Sequence, residues 1–425
     1  MKRLLIILLF STGFFAASAQ PSTPPSGDLP PIAQEAYIWQ RAWNEPVRDA
    51  IALHATNFTG LVVLNAEVTW KQGHPQVIHI PIDYASLLRA ACPVGLALRI
   101  GPYPGPFTTN GQPMDQLAGL AVSLIAEAQA NRLKIRELQI DFDCAESKLD
   151  GYRVWVETLR RRIAPVPLVI TALPSWLNQN SFQYLARASD GYILQVHSLE
   201  RPRDFASPFS LCDPAAARRA VEQAGQIDVP FRVALPTYGY LIAFAPDGHF
   251  IGLSAEGPAK TWPAGTRLRE VRSDPVAMAD LVRGWSLVHP AALQKIIWYR
   301  FPISLDVLNW SWPTLNAVKT GRSPRESFRL DTSRSAAGLT EISLVNDGEA
   351  DLSSRPVIEV RWQHARLVAS DGLRDFEVVD PGPNTLQFRA RTTLIPSRLA
   401  PGERQAIGWL RLDGEVEVQI ETKKP

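Results

Sequence analysis

Residues 137–143 of the chain are ELQIDFD, a stretch that alternates between apolar and polar side chains. Because successive residues of a β-strand point to opposite faces, its three apolar residues share one face, and Gln139, Asp141 and Asp143 share the other. In a parallel α/β barrel the apolar face packs on the surrounding helices, and function gathers at the carboxyl ends of the strands. The stretch therefore predicts a barrel strand that carries Asp141 and Asp143 to the mouth of the barrel.

Outward from this strand, short apolar runs alternate with helix-like segments from residue 36 to about residue 320. This alternation is typical of a parallel α/β domain. Eight such runs are present, which is the number that closes a barrel. They lie near residues 36–43, 58–65, 94–100, 136–143, 166–172, 190–197, 230–236 and 294–301. The sequence therefore predicts a (β/α)8 TIM barrel.

Two regions depart from the simple alternation. Residues 237–273 separate the seventh strand from its helix, and the turn signal Pro246-Asp247-Gly248 inside them predicts a hairpin. Beyond about residue 325, short strand-like runs are separated by Gly, Pro and Asp. These runs predict a small C-terminal all-β domain, sandwich-like in architecture.

The first residues have the pattern of an export signal. Lys2 and Arg3 precede an apolar core that is too short to span a bilayer, and Ala17-Ser18-Ala19 is a small-residue cleavage site. We therefore predict a signal peptide over residues 1–19, a Pro-rich linker over 20–35, the barrel over 36–322 and the small β domain over 323–425. The protein is expected in the periplasm or outside the cell, without stable membrane insertion after signal cleavage.

The charge balance argues against several classes of partner. The chain has 44 Lys and Arg against 42 Asp and Glu, a formal net charge of +2, so no basic field predicts nucleic-acid binding.

No Gly-rich phosphate loop follows a strand, and the three cysteines and seven histidines show no metal-site spacing. We therefore predict no cofactor and no metal site, and an odd cysteine count that allows one disulfide at most.

Other predicted strand ends add polar and aromatic side chains at the same edge of the barrel. They are Trp39 on strand one, Asn65 and Glu67 on strand two, Arg99 on strand three, Gln195 and His197 on strand six, and Trp298 and Arg300 on strand eight. Sugar rings stack on aromatic faces, and sugar hydroxyls bond to carboxylates and amides, so this composition predicts a polysaccharide or glycan site.

The aspartate pair is the strongest single indication of function. Two carboxylates on one strand repel each other, and burying an uncompensated charge costs several kcal/mol. Such a pair usually persists because a partner, a proton or a substrate uses it. The alternative is a structural pair held by arginine and backbone N–H groups.

Several segments resemble glycoside hydrolase family 18, the chitinase family. Residues 96–101 resemble its third strand, and residues 190–197 resemble its sixth, with Gln195 and His197 at the family's Met and Tyr positions. Residues 139–143 are similar to the end of the fourth-strand motif Asp-x-x-Asp-x-Asp-x-Glu. Residues 235–239 are similar to the seventh-strand Leu-Pro-x-Tyr-Gly. The resemblance implies that Tyr238 contacts a sugar and that Trp298 stacks on one.

The same motif departs from the family at the residues that matter for mechanism. Its first Asp is Leu138 here, and the Glu that protonates the leaving oxygen in chitinases is Ala145. A closer resemblance is to the exported bacterial domain-of-unknown-function 3142 family, carried by residues 139–144 and 298–302. That resemblance implies a glycosidase-like barrel without specifying a reaction.

Three functions remain open from the sequence. The first is a glycoside hydrolase acting on an envelope or extracellular polysaccharide, with Asp141 or Asp143 as nucleophile, base or transition-state stabiliser and Glu67 as the proton donor. The second is a carbohydrate-binding barrel without catalysis, because residue 145 is alanine. The third is a structural envelope protein, which predicts a mouth plugged by side chains. The sugar-handling hypotheses require Asp141 and Asp143 to share a cavity with Glu67 and Trp298.

Overall fold

A computed structural model describes residues 32–255, 261–336, 338–352, 355–391, 398–414 and 416–423. The predicted signal peptide and residues 20–31 of the predicted linker lie outside these residues. Within the described chain, none of the helices combines the length and apolar character needed to cross a membrane. The four-part division of the chain remains a prediction.

Eight parallel strands close on themselves to form the barrel. In spatial order they are β1, β12, β8, β7, β6, β5, β4 and β2, and pairing between β1 and β2 completes the ring. Their bounds are β1 Ala33–Ile38, β2 Leu61–Lys71, β4 Val94–Ile100, β5 Ile135–Phe142, β6 Leu168–Ala172, β7 Tyr192–Gln195, β8 Phe231–Pro236 and β12 Leu293–Tyr299. The (β/α)8 TIM barrel is therefore confirmed. The first strand begins at Ala33, so residues 33–35 of the predicted linker belong to the barrel wall.

Helices alternate with these strands and cover their outer faces. Their bounds are α1 Glu45–His54, α2 Tyr84–Arg89, α3 Gln112–Ala130, α4 Leu149–Ile163, α5 Asn180–Ala188, α6 Pro214–Gly225, α7 Pro275–Leu287 and α8 Trp312–Lys319. The Asp-Pro pairs begin α6 and α7, because Asp213 accepts from Ala215 N and Ala216 N and Asp274 accepts equivalently at the start of α7.

Two insertions extend the barrel at the carboxyl ends of its strands. Strand β3 (His74–His79) pairs antiparallel with the upper half of β2. Strands β9 (Gly239–Phe244), β10 (Phe250–Ser254) and β11 (Arg267–Arg272) form a three-stranded antiparallel sheet with β9 at its centre. The turn predicted at residues 246–248 joins β9 to β10, so the hairpin is confirmed and gains a third strand.

A register shift in β2 decides which of its side chains face inward. Leu64 pairs with Ala97, but Ala66 pairs with Leu98, so one extra residue, Asn65, is accommodated in β2. A bulge of this kind reverses the faces of the residues beyond it. Leu64, before the bulge, faces inward, and unbroken alternation would turn Glu67 outward. Because of the bulge, Glu67 also faces inward, where it pairs with Arg99.

A cluster of charged residues closes the amino-terminal end of the barrel. Glu35 is fully buried and accepts from Arg136, from Arg232 at 2.6 Å and from Lys295 at 2.6 Å. Glu137 accepts a second Arg232 nitrogen at 2.8 Å. Burial alone would raise the pKa of Glu35, but the hydrogen bond from Arg136 and the charges of Arg232 and Arg136 lower it from 4.5 to about 2. These ion pairs fill the lower barrel and leave its upper end for a cavity.

The remaining strands form two four-stranded antiparallel sheets that share one apolar core. The first sheet contains β13 Phe328–Ala336, β14 Leu339–Asn346, β16 Leu367–Gly372 and β19 Arg404–Leu412. The second contains β15 Val357–Arg361, β17 Phe376–Gly382, β18 Thr385–Ala390 and β20 Gln419–Lys423. Their facing side chains, such as Ile342 and Leu410 against Ile358 and Phe388, belong to one buried cluster. The predicted C-terminal β architecture is thus confirmed as a sandwich.

One arginine of the sandwich region holds a loop of the barrel. Arg398 donates to Val307 O at 2.9 Å and to Asn309 O at 3.2 Å, both in the loop between β12 and α8. Its Nε lies 2.5 Å from a carboxylate oxygen of Asp351. Asn309 in turn donates to Arg300 O at 3.3 Å, immediately beyond the last barrel strand.

Candidate functional site

A cavity of about 200 Å³ opens at the carboxyl ends of the barrel strands. Seven of the residues predicted from the sequence line it: Trp39, Arg99, Asp141, Asp143, Gln195, His197 and Tyr238. It also receives side chains that the sequence analysis missed, namely Tyr37, Thr171, Ser198, Tyr240 and Tyr299. The mouth of the barrel is therefore an open, polar and aromatic site.

The aspartate pair lies where the alternation of β5 places it. Asp141 accepts from Thr171 Oγ1 at 3.1 Å and lies 3.6 Å from Arg99 Nε, whereas Asp143 is exposed at the rim. Burial and the charge of Asp143 raise the pKa of Asp141 from 3.8 to about 6, against the opposing effects of Arg99 and Thr171. Loss of hydration also raises the pKa of Asp143, and Arg99 opposes this. The pair can therefore hold a proton in mildly acidic solution.

A row of alternating charges runs along the mouth from β1 to β5. Arg41 makes two hydrogen bonds to Glu67, at 2.7 and 3.1 Å, so that both carboxylate oxygens are engaged. Arg99 Nη1 lies 3.5 Å from Glu67, and its Nε faces Asp141. Arg99 lies between Glu67 and Asp141, and Glu67 is not among the residues that line the cavity. This arrangement suits a positioning carboxylate better than a proton donor.

Aromatic rings form one continuous wall of the cavity. Tyr299 is at the centre of this wall, with ring centroids 5.5 Å from Trp39, 6.0 Å from Tyr37 and 5.3 Å from Tyr238. Tyr37 is fixed from below, because its hydroxyl donates to Gln139 Oε1 at 2.6 Å. The rings meet edge to face, which is a favoured geometry for aromatic pairs and holds the wall rigid.

A chain of hydrogen bonds connects His197 to the rim. His197 Nδ1 lies 3.2 Å from the Tyr238 hydroxyl, which lies 3.2 Å from that of Tyr240, and Tyr240 contacts Ser198 Oγ at 2.7 Å. Burial lowers the pKa of His197 to about 3, so its imidazole is neutral at physiological pH. The ring also stacks on Tyr299 at 5.6 Å. His197 therefore contributes a neutral hydrogen-bonding group to the cavity.

Four predicted residues do not line the cavity: Glu67, Asn65, Trp298 and Arg300. The expectation that Asp141 and Asp143 share the cavity with Glu67 and Trp298 is therefore not met, and the prediction for Trp298 is wrong. In β12, Lys295 and Ile297 pair with the inward-facing Arg232 and Ala234, so Tyr299 continues their face and Trp298 points to the helices. Trp298 is fully buried there and donates to Gln34 Oε1 at 2.8 Å. Gln294 shares a face with Trp298 and Lys295 shares a face with Tyr299, so the sequence of this strand held no local signal that favoured Tyr299.

Arg300 and Asn65 lie near the mouth, but their side chains bind neighbouring protein groups. Arg300 follows the last residue of β12, pairs with Asp306 and is bound through its own backbone to Thr237 Oγ1. Asn65 occupies the bulge of β2, where its Nδ2 donates to Ile80 O at 3.3 Å. Neither side chain lines the cavity, so the prediction that they contact substrate directly is not supported by their positions.

The titratable side chains of the site do not form a metal centre. Within the described parts of the chain, no group of three His, Cys, Asp or Glu residues lies close enough to hold a metal ion. All three cysteines are free thiols, and Cys144, which follows Asp143, is buried with a pKa that burial raises to about 12. The titratable groups that line the cavity are the two aspartate carboxyl groups, the Arg99 guanidinium, the His197 imidazole and the tyrosine hydroxyls.

Comparison with known proteins finds two segments of the chain that match family models. Residues 110–304 match a family described as Domain of unknown function (DUF3142), which confirms the resemblance predicted above over these residues. Residues 330–413 match a second one, Domain of unknown function (DUF8456). No curated protein matches the chain. The first match includes Asp141, Asp143, His197, Tyr238 and Tyr299.

Similar solved structures include two chitinases and a spore enzyme. The chitinase from Chromobacterium violaceum ATCC 12472 is 15% identical, with a TM-score of 0.46 over 68% of this chain and 98% of that one. The Bacillus cereus spore cortex-lytic enzyme SleL is 11% identical, with a TM-score of 0.49 over 69% and 74%. The chitinase RmChi1 from Rhizomucor miehei is 13% identical, with a TM-score of 0.44 over 68% and 99%.

Proposed function

We propose that the protein is an exported glycoside hydrolase-like barrel that cleaves an envelope or extracellular polysaccharide at the Asp141–Asp143 pair. One observation carries the proposal: two carboxyl groups with raised pKa values share a cavity with a wall of aromatic rings. A general acid works best when its pKa lies near the working pH, and the raised pKa values of the pair, about 6 for Asp141, let it hold a proton in this range. Aromatic walls suit the apolar faces of a sugar ring.

The two aspartates take different parts in the reaction. The pair holds one proton, which passes to the glycosidic oxygen as the bond between that oxygen and the anomeric carbon breaks. The ionised partner stabilises the positive charge that develops on the ring, as carboxylates do in glycoside hydrolysis. Water then attacks the anomeric carbon and returns a proton to the pair. Asp143, being exposed at the rim, is the member that reaches the glycosidic oxygen.

The size of the cavity limits the part of a glycan that it accepts. Pockets for drug-sized ligands are roughly 300–1,000 Å³. At about 200 Å³, this cavity accommodates a single sugar residue rather than several. We therefore expect the enzyme to hold one residue of the polysaccharide deeply while the remainder lies across the rim.

The proposal is tested by screening labelled polysaccharides for release of soluble products. Wild type is compared with Asp141→Asn and Asp143→Asn, which remove the charge and the titrating group with little change in shape. Asp228→Asn is the matched control, because Asp228 is exposed and has φ of 57°, a conformation that asparagine also tolerates. Turnover lost in both site variants and kept in the control supports the hydrolase. Cleavage that survives in both site variants excludes the pair as its source.

A second candidate is a carbohydrate-binding barrel without catalysis. It is favoured by Ala145, which stands where the chitinase motif has its acid, and by the engagement of both Glu67 oxygens by Arg41. Binding of a glycan by wild type with no product at any pH between 4 and 8 would establish this alternative. A plugged mouth, expected for a purely structural envelope protein, is not what the cavity presents.

The location of the protein is part of the proposal. Export rests on the charged start, apolar core and small-residue cleavage site of residues 1–19. Cell fractionation of the full chain, followed by amino-terminal sequencing, tests it. A mature protein that begins at Gln20 in the periplasm or medium is the expected result, and an uncleaved chain in the cytosol contradicts it.

A further inference from the structure

We propose that the sugar residue held in the cavity carries a free amino group and binds as a cation. This deepens the proposed function, on which it rests for the glycan class, by naming the chemical type of the bound residue. The charges at the cavity and the composition of its walls both support it, and they are independent observations.

The charged groups of the site are short of one positive charge. Five of them lie along the mouth: Arg41, Glu67, Arg99, Asp141 and Asp143. Two are cations and three are anions, which gives a net charge of −1 above the pKa of Asp141, about 6, and zero when the pair holds one proton. Arg41 is committed to Glu67, and Arg99 divides its charge between Glu67 at 3.5 Å and Asp141 at 3.6 Å.

Asp143 is the carboxylate that lacks a partner. Among the described residues it forms no ion pair, and Arg99 acts on it only at longer range. It is exposed at the rim, one residue beyond the end of β5, and lines the same cavity as Asp141. An ammonium group placed between the two aspartates would complete the charge balance of the mouth.

The wall of the cavity independently favours a cation over an anion. Five aromatic rings line it: Tyr37, Trp39, Tyr238, Tyr240 and Tyr299. The face of such a ring is negative and attracts an ammonium group within about 6 Å of its centre. His197 adds no positive charge, since its imidazole is buried and neutral.

The same wall supplies a hydrogen-bonding group for the rest of the sugar. His197 is 4% exposed and bonds to Tyr238 through Nδ1. Its other ring nitrogen has no partner among the described residues and belongs to a side chain that lines the cavity. A sugar hydroxyl provides both the donor and the acceptor that either tautomer of this imidazole requires.

The experiment compares three methyl glycosides that differ only at one substituent of the ring. The full chain is titrated calorimetrically at pH 6.5 with methyl glucosaminide, methyl N-acetylglucosaminide and methyl glucoside. The first carries a charged amine, and the other two are neutral. We expect the amine to bind about tenfold more tightly than either neutral sugar, the factor that corresponds to about 1.4 kcal/mol. Equal affinities, or a preference for a neutral sugar, overturn the inference.

Variants assign the preference to the aspartates. Asp143→Asn is expected to abolish the preference for the amine, Asp143→Glu to retain it, and the distant control Asp228→Asn to leave it unchanged. A preference that survives Asp143→Asn overturns the role given to Asp143. Because Asp143 is exposed at the rim, these substitutions leave the core intact.

The outcome is separable from that of the hydrolase proposal, since binding is measured without cleavage. Preference for the amine with no polysaccharide cleaved upholds the cationic ligand and refutes the hydrolase. Cleavage of neutral polysaccharides without preference for the amine upholds the hydrolase and refutes the cationic ligand. Failure of all three glycosides to bind also refutes the inference, while the polysaccharide screen still decides the hydrolase.

Discussion

The substitution Glu35→Gln tests how the lower end of the barrel is held together. Glu35 is fully buried and receives Arg136, Arg232 and Lys295, and these contacts lower its pKa from 4.5 to about 2 despite burial. Each unit of pKa shift is worth about 1.4 kcal/mol, so the ionised carboxylate stabilises the folded state by about 3 kcal/mol. Removing its charge also leaves Glu137 as the one carboxylate facing Arg136, Arg232 and Lys295, and breaking a buried ion pair typically costs about 3–5 kcal/mol.

The assay is urea unfolding of wild type and variant, followed by tryptophan fluorescence at several pH values. The matched control is Glu157→Gln, whose partner Arg153 lies 2.6 Å away on α4, where both side chains are partly exposed. An exposed pair of this kind contributes about 0.3–0.5 kcal/mol. We therefore expect Glu35→Gln to lower the free energy of unfolding at pH 7 by about 3 kcal/mol, several times more than the control.

The pH dependence supplies an independent check. A carboxyl group whose pKa is lowered by folding stabilises the protein above its unfolded pKa and loses that contribution as the pH falls through the folded value. The difference between wild type and Glu35→Gln should therefore be full above pH 4.5 and shrink as the pH falls toward 2. A difference no larger than that of Glu157→Gln, or one that is constant from pH 7 to pH 3, refutes the reasoning.

Three further predictions concern the upper end. Asp141→Asn should raise the free energy of unfolding at pH 7 by about 1–2 kcal/mol, because an ionised carboxylate whose pKa is raised by folding destabilises the folded state. Calorimetry should show this gain vanishing at pH 4, where the carboxyl group of the folded protein is protonated. Glycan cleavage should decline as the pH rises through about 6, and a rate still rising above pH 8 contradicts Asp141 as part of the proton source. Tyr238→Phe leaves His197 Nδ1 without its partner, so chemical denaturation should show a loss of about 1–2 kcal/mol, whereas an unchanged midpoint argues against the hydrogen-bonded chain.

The inward face of a strand could be predicted only where its sequence alternates. Residues 137–143 alternate without interruption, and Asp141 and Asp143 both line the cavity as expected. Residues 296–299 are Ile-Ile-Trp-Tyr, apolar on both faces, so nothing local distinguishes Trp298 from Tyr299. Only the pairing of β12 with β8 resolves this, and that pairing is a long-range property.

Glu67 faces inward as predicted, but the bulge that turns it inward could not be read from the sequence. Continuous alternation from Leu64, which faces inward, would turn Glu67 outward, and the bulge at Asn65 brings it back. Its bond to Arg41 joins residues 26 positions apart, and no local pattern indicates it. The role of Glu35 was missed for the same reason, since its partners lie at positions 136, 232 and 295.

The hold of Arg398 on the loop between β12 and α8 has a consequence for anyone who wishes to shorten this protein. Val307 and Asn309 are tethered to the sandwich, and Asn309 is tethered to Arg300, the neighbour of Tyr299 in the aromatic wall. A chain truncated after residue 322 would keep every residue of the cavity and lose the outside support of the segment that shapes it. The smallest fragment fit for measuring sugar affinity therefore includes the sandwich.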